Sequence, residues 1–230
     1  MVGITRYASY LPVHRLERRL IEQAWGAKQA KGEIAVANYD EDALTLAIDA
    51  AMACLGEPAA AVDGVHFAST SAPYAEKQMA SLVATACDLP RGIFTADFAG
   101  STRCGVSATM AGLRAVQAGA ARQVLVTAAD VRVGAPASEL EGVLGDGAAA
   151  VSVGSDGVIA ELVDAASIAE EFTYHWRTDV QRTVQVAGGR FSSDYGYGRD
   201  LGAAIRAVLE RQRLEPRAIH RLALGSPDAR

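Results

Sequence analysis

The segment Asp97-Phe98-Ala99-Gly100-Ser101-Thr102-Arg103-Cys104-Gly105-Val106-Ser107-Ala108 constrains this chain most, because it reads as a strand ending in a tight turn that launches a nearly charge-free helix. The predicted helix runs from Thr102 to about Gln117. Only Arg103 and Arg114 are charged in it, and apolar residues fall on every side, the pattern of a helix buried in the middle of a domain. The first N–H groups of a helix have no partner and its dipole is positive there, so the mouth of this one suits a thiolate or an oxyanion. The residue best placed at that mouth is Thr102, not a cysteine.

With 230 residues, half of them apolar, the chain can bury a substantial core in one large or two smaller domains. A formal charge of −5 argues against nucleic-acid binding, which needs a clustered basic surface. The one basic cluster, His14, Arg15, Arg18 and Arg19, either meets a phosphate-bearing ligand or is the solvated face of a helix; its neighbours Glu17 and Glu22 favour the second. The three cysteines, Cys54, Cys87 and Cys104, contain no C-x-x-C pair, so neither a disulfide framework nor a metal site is expected and a reducing cytoplasm fits. No apolar run approaches the roughly 20 residues that span a bilayer, and the opening residues lack a targeting pattern.

Along the chain, Val2–Leu11 is expected as a strand and Arg15–Trp25 as a helix with Leu16, Leu20, Ile21 and Ala24 at helical spacing. A flexible stretch, 26–38, follows. Asp40 is expected to cap a helix whose Leu44, Ala47, Ile48, Ala51, Met52 and Leu55 recur at three and four residues until Gly56 stops it. Val62–Ser69 reads as a strand, Glu76–Cys87 as a helix and Ile93–Phe98 as a strand, an alternation that points to an α/β sheet. Gln123–Ala129 is a nearly continuous apolar strand, as in a sheet covered on both faces. Gly145-Asp146-Gly147 is a turn between Leu140–Leu144 and a strand over Ala148–Val153, and Ser155-Asp156-Gly157 leads to another over Val158–Val163. Residues 1–163 thus form one layered unit. In 164–230, Glu170–Tyr197 is a polar, aromatic loop region, Arg199–Arg213 a helix and Ile219–Leu224 a strand.

Several pieces together resemble the thiolase superfamily, in the branch of the hydroxymethylglutaryl-CoA synthases and ketoacyl synthases III. They are Val2-Gly3-Ile4 through Tyr10-Leu11-Pro12, Tyr39-Asp40-Glu41-Asp42 with Thr45-Leu46-Ala47, Ala72-Pro73-Tyr74-Ala75, the helix after Phe98, Gly145-Asp146-Gly147-Ala148-Ala149-Ala150, and Gly188-Gly189-Arg190-Phe191. The resemblance implies an α/β fold, a thiolase-like layered αβαβα sandwich, with its first half complete and its second half only begun in this chain. It implies acyl-CoA or acyl-carrier thioesters as ligands, no separate cofactor, no metal and no membrane. It also implies a homodimer or hetero-oligomer, with small OB-fold or zinc-ribbon proteins as companions, or a partner chain that completes the second half.

In that family a cysteine at the mouth of the buried helix takes the acyl group, a glutamate serves as acid and base, and a histidine supports the acyl chemistry. Matching by Gly105 puts Thr102 at the cysteine position, matching by Ala72-Pro73-Tyr74 puts Thr70 at the glutamate, and matching by the last strand and Pro227 puts Gly225 at the histidine. The resemblance therefore implies a site without the usual covalent step. Cys104 is the remaining thiol, but two residues turn a helix by roughly 200°, which favours a buried apolar role over a nucleophile. Thr70, Ser71, Tyr74, Ser101 and Thr102 either line a pocket or perform turn and cap chemistry, with Ser101 or Thr102 as N-cap. Arg103, Tyr195 and Tyr197 are candidate ligand contacts. Tyr174-His175-Trp176 and Tyr195-Gly196-Tyr197 line an acyl or pantetheine channel or pack against a sheet. His66 and His220 are read as structural, and Asp146 as fixing its turn. Two activities stay open: condensation through Cys104, or a non-covalent aldol or retro-aldol reaction in which Tyr74 or Tyr195 moves the proton.

Overall fold

The computed structural model describes residues 1–56, 61–187 and 193–225. The Gly188–Phe191 motif and Pro227 lie outside them. The chain divides into two compact units, 1–132 with 144–161, and 133–143 with 162–230.

The first unit is built on a six-stranded sheet in the order β5-β4-β6-β7-β1-β8. Its strands are β1 (Gly3–Tyr10), β4 (Gly64–Ala68), β5 (Phe94–Phe98), β6 (Gln123–Asp130), β7 (Gly147–Gly154) and the short β8 (Ala160–Glu161). β5, β4 and β6 are parallel, with Ala68 beside both Phe98 and Ala128; β6, β7, β1 and β8 run antiparallel. Alternation along β4 assigns the two faces. Val65 and Phe67 enter the core with α2 (Ala43–Leu55) and α3 (Met79–Ala86), whereas the imidazole of His66, between them, meets the carbonyl of Ala108 in α4 (Cys104–Gln117) at 3.0 Å. The sheet is therefore sandwiched, with α2 and α3 on one side and α4 on the other, which is why β4 is buried along its whole length. Gly112 lets α4 lie close: a Cβ there would stand 3.1 Å from Val153 Cγ2 and 3.3 Å from Val124 Cγ1.

Several expectations are corrected. His14–Glu17 is not helical but a strand, β2, paired antiparallel with β3 (Glu33–Val36) inside the stretch expected to be flexible; α1 begins only at Arg18 and ends at Trp25. Asp42, not Asp40, caps α2. Its Oδ1 accepts the N–H groups of Leu44 and Thr45 (2.8 and 2.9 Å), and Thr45 Oγ1 accepts the N–H of Asp42, while Asp40 takes the side-chain amide of Asn38. α3 starts at Met79 rather than Glu76, because its first amides are capped from another strand: Asp97 Oδ2 and Oδ1 accept the N–H groups of Met79 and Ala80 (2.7 and 2.8 Å). Turns run over Leu140–Val143, whereas Gly145-Asp146-Gly147, expected as a turn, leads straight into β7, which starts at Gly147; of Val158–Val163 only Ala160–Glu161 pairs, with Gly3 and Ile4.

The second unit holds a two-stranded ribbon, β9 (His175–Trp176) with β10 (Gln185–Val186), inside the region read as loop. A π-helical turn, Ser193–Tyr197, runs into α5 (Gly198–Gln212), whose end is tied by Arg211 to the carboxylate of Asp164 at 2.8 and 3.1 Å. Ile219–Leu224, expected as a strand, is not one; among the described residues no strand runs beside it, and Ile219, Leu222 and Leu224 are exposed.

Candidate functional site

Three parallel strands deliver their carboxyl ends to one place, the usual position of sites in open α/β sheets. β4 continues into Ser69-Thr70-Ser71, β5 into the turn before α4, and β6 ends at Asp130. The turn is made by Gly100, whose φ of +79° few other residues adopt without strain. Ser101 then organises the helix start: its Oγ accepts the N–H of Arg103 at 3.2 Å and its carbonyl accepts that of Cys104 at 2.9 Å. Neither Ser101 nor Thr102 is the N-cap. That position falls to Arg103, which makes no side-chain cap bond, and the helix begins at Cys104 rather than Thr102.

Ser101, Thr102 and Arg103 are exposed, whereas Cys104 is 7% exposed. Burial, and next the charge of Asp130, push the Cys104 thiol above its ordinary range, opposite to what a nucleophile needs. Burial likewise raises Cys54, and drives Cys87 up to about 11. α4 buries Cys104, Ala108, Gly112, Leu113 and Val116, whereas Val106 is 65% exposed, so the helix expected to be buried on every side has a solvent-facing side.

Thr70 is engaged by a residue that sequence reasoning did not single out. Asp130 Oδ1 accepts the Ser69 hydroxyl (3.0 Å), the Thr70 N–H (2.7 Å) and the Ser71 hydroxyl (2.9 Å), and the Thr70 hydroxyl lies 3.0 Å from both carboxylate oxygens. Ser71 Oγ in turn accepts the N–H of Val131. The only available signal was an aspartate closing an apolar strand. Tyr74 stands apart from this cluster: it is half exposed, with Lys77 Nζ 4.8 Å from its ring centre.

The other candidates serve the scaffold. His66 is buried between the Ala108 carbonyl and the rings of Phe94 and Phe98. Asp146, expected to fix a turn, instead ties the entry to β7 to the end of β3: its Oδ2 accepts the N–H of Ala37 at 2.8 Å and its N–H reaches the carbonyl of Ala35; burial raises its pKa. The basic cluster is solvated and paired, Arg15 with Glu33 and Arg19 with Glu17, although His14 and Arg15 sit on a strand. In the second unit Tyr195 is exposed, Tyr197 donates to the carbonyl of Gly225, Tyr174 packs on His175 with ring centres 4.2 Å apart, and His220 is exposed outside any strand. Among the described residues no group of His, Cys, Asp or Glu is placed to hold a metal ion, and no helix is long and apolar enough to cross a membrane.

This architecture is that of the thiolase-like layered α/β proteins. The fold superposes on a hydroxymethylglutaryl-CoA synthase complexed with CoA (TM-score 0.84, 18% identity, 94% of this chain and 57% of that one). It also superposes on the 3-oxoacyl-(acyl carrier protein) synthase III of Pseudomonas aeruginosa PAO1 (TM-score 0.81, 21% identity, 95% and 73%). A third match is the hydroxymethylglutaryl synthase of the curacin pathway in complex with holo donor-ACP (TM-score 0.80, 21% identity, 91% and 54%). In sequence the chain is similar to proteins named hydroxymethylglutaryl-CoA synthase. It is 30% identical over 224 residues to the enzyme of Methanocella arvoryzae and 27% identical over 239 residues to that of Pyrobaculum aerophilum. These matches take in 94% and 100% of this chain but only 64% and 68% of those proteins. No protein-family profile matches the chain.

Proposed function

We propose that this is a hydroxymethylglutaryl-CoA synthase-like protein that binds acyl-CoA or acyl-carrier thioesters without the cysteine-based condensation step, and that it works in the cytoplasm as a subunit of an acyl-processing complex. Relatives named for that synthase, and neighbours bound to CoA or to an acyl carrier protein, support the ligand class. The observation that carries the loss of the covalent step is the pairing of Thr102 at the exposed turn with Cys104, buried and held as a thiol. A threonine hydroxyl needs a strong base to attack a thioester. The assembly is read as a homodimer or hetero-oligomer, with a small OB-fold or zinc-ribbon protein as candidate companion.

Incubation with acetyl-CoA or acetoacetyl-CoA, followed by intact-mass measurement and calorimetry, tests this reading. Binding without a mass change is expected, and Thr102→Cys is expected to introduce an acyl adduct on the new thiol. A stable adduct on Cys104 of the unmodified protein would instead establish condensation through that residue. Purification with the products of neighbouring genes should yield a defined complex; a chain that remains monomeric and indifferent to them ends the subunit reading.

A further inference from the structure

The sequence contains Asp-Gly three times, at 63–64, 146–147 and 156–157. In such a pair the main-chain nitrogen of the glycine can attack the aspartate side chain and close a five-membered succinimide, because no Cβ obstructs the approach. Two conditions have to be met: the glycine N–H must lie outside any hydrogen-bond ladder, and the carboxyl must be free to swing back over it. The fold meets them at one position and not at the other two. Asp63 Oδ2 accepts the N–H groups of Arg122 and Gln123 at 2.7 and 3.2 Å, and Gly64 is buried in β4, paired on its two sides with Phe94 and Val124. Asp146 Oδ2 holds the N–H of Ala37 at 2.8 Å, and Gly147 opens β7 opposite Asp130. Asp156 and Gly157, by contrast, are exposed in the bend between β7 and β8, and among the described residues neither the Asp156 carboxylate nor the Gly157 N–H has a hydrogen-bond partner. Gly157 has a φ of +65°, and the place a Cβ would take there has no other atom within 4 Å.

We propose that Asp156 is a site of spontaneous covalent modification, converting to an isoaspartyl residue through a succinimide formed with Gly157. The Gly157 nitrogen forms a bond to Cγ of the protonated Asp156 carboxyl and loses its proton, and the carboxyl hydroxyl leaves with a proton as water. Water then adds to one of the two ring carbonyls. Addition at Cγ opens the ring back to aspartate. Addition at the former main-chain carbonyl breaks its bond to nitrogen, leaves that carbon as a free carboxylate and routes the chain through Cγ. One water leaves and one returns, so no oxidant, reductant or bound ligand takes part, and the charge of the residue is kept. The product carries one more carbon in its main chain. That carbon falls in a short connection: Gly154 pairs with Gly3, and Ile159 already donates to the carbonyl of Ile4 at 2.8 Å, with Ala160 and Glu161 paired beside it. β8 is held by the pairing of those two residues, so it is the element that isomerisation loosens.

The test is to age the whole protein at near-neutral pH, folded and in urea, and to quantify isoaspartate at each Asp-Gly pair by peptide mapping with electron-transfer fragmentation. Methyl transfer from labelled S-adenosylmethionine by an isoaspartyl carboxyl methyltransferase gives an independent total. In the folded protein isoaspartate at 156 is expected to exceed that at 63 and at 146 by at least about tenfold, the ratio set by a barrier difference of about 1.4 kcal/mol. In urea the three positions should agree within about threefold, because the chain around each is then equally free. Asp156→Glu, which would need a six-membered ring, should remove the signal from the folded protein. Hydrogen exchange at the Ile159 amide should quicken as the parent protein ages and stay constant in that variant. Equal accumulation at the three positions in the folded protein, or accumulation in urea with none at 156 in the fold, overturns the assignment; isoaspartate at 156 without faster exchange at Ile159 overturns the loosening of β8.

Discussion

Replacing Asp97 by alanine removes the two hydrogen bonds that start α3. Oδ2 and Oδ1 accept from Met79 at 2.7 Å and Ala80 at 2.8 Å, and the residue before the helix, Gln78, makes no side-chain cap. Loss of a capping side chain costs about 1 kcal/mol, rising to about 2 in protein hosts. Here the acceptor is a carboxylate, its bonds are charge-assisted and partly buried, and it lies at the positive end of the helix, so the upper end applies. The dipole attraction and the two bonds are one interaction seen twice, so they are not summed; about 2 kcal/mol is expected. For a chain of this size that lowers Tm by about 4–8 °C. Asp97→Asn keeps the shape and one accepting oxygen but turns an N–H toward the second amide, and should fall between alanine and the parent. Urea unfolding followed by circular dichroism, with hydrogen exchange at Met79 and Ala80 as the local readout, checks the ordering. A cost below about 0.5 kcal/mol for alanine would refute the reasoning, because water would then have replaced the carboxylate without loss.

Phe67, 1% exposed in the core with α2 and α3, should cost about 3–5 kcal/mol as Phe67→Ala in the same unfolding assay. Gly112→Val should cost about 1–3 kcal/mol by forcing α4 off Val153 and Val124, whereas an equal change at open Gly92 should be near neutral. Tyr10 donates to Glu41 Oε1, and that bond, followed by desolvation, raises the phenol from 10.0 to about 12; one late-titrating tyrosine should appear in ultraviolet absorbance and vanish in Glu41→Gln. Because the folded pKa is the higher one, the stabilisation is complete below pH 10 and is lost as pH climbs through about 12. With all three thiols raised above their usual range by burial, labelling by a disulfide reagent at pH 8 should be slow in the folded protein and fast in urea; rapid labelling of Cys104 would contradict its burial.

The parts of the fold that were legible in the sequence are those whose signal is local. α2 declared itself by apolar residues at three- and four-residue spacing, and β4 and β6 by short apolar runs, because one side of a helix or both faces of a strand meet the core. β2 was missed for the converse reason. Leu16 and Leu20 have helical spacing, yet His14–Glu17 is decided by pairing with Glu33–Val36, about twenty residues away, and by Asp146 anchoring Ala37 from still farther along the chain. Asp42 rather than Asp40 caps α2 because Thr45 completes a reciprocal pair with it, a three-residue relation that is visible in the sequence. Ile219–Leu224 shows the limit of propensity: apolar residues do not make a strand without a neighbouring edge to accept them.

The site divides along the same line. Gly100 to Cys104 could be read as a helix mouth because a turn glycine, small hydroxyl residues and a charge-free helix are consecutive, and the turn does lie there, although the helix starts two residues later. Asp130 could not be read in the same way. An aspartate closing an apolar strand is ordinary punctuation until the parallel register is known, and only the pairing of Ala68 with Ala128 brings Ser69, Thr70 and Ser71 against residues 129–131. Three hydroxyl residues and a carboxylate some 60 positions apart then become one polar cluster at the end of an otherwise apolar sheet, where an unpaired carboxylate would carry a heavy desolvation cost. The Ser69 and Ser71 hydroxyls and the Thr70 N–H offset that cost at Oδ1, and the Thr70 hydroxyl lies within reach of both oxygens, so the residues that the parallel register brings beside Asp130 are the ones that let a carboxylate sit at the end of the sheet.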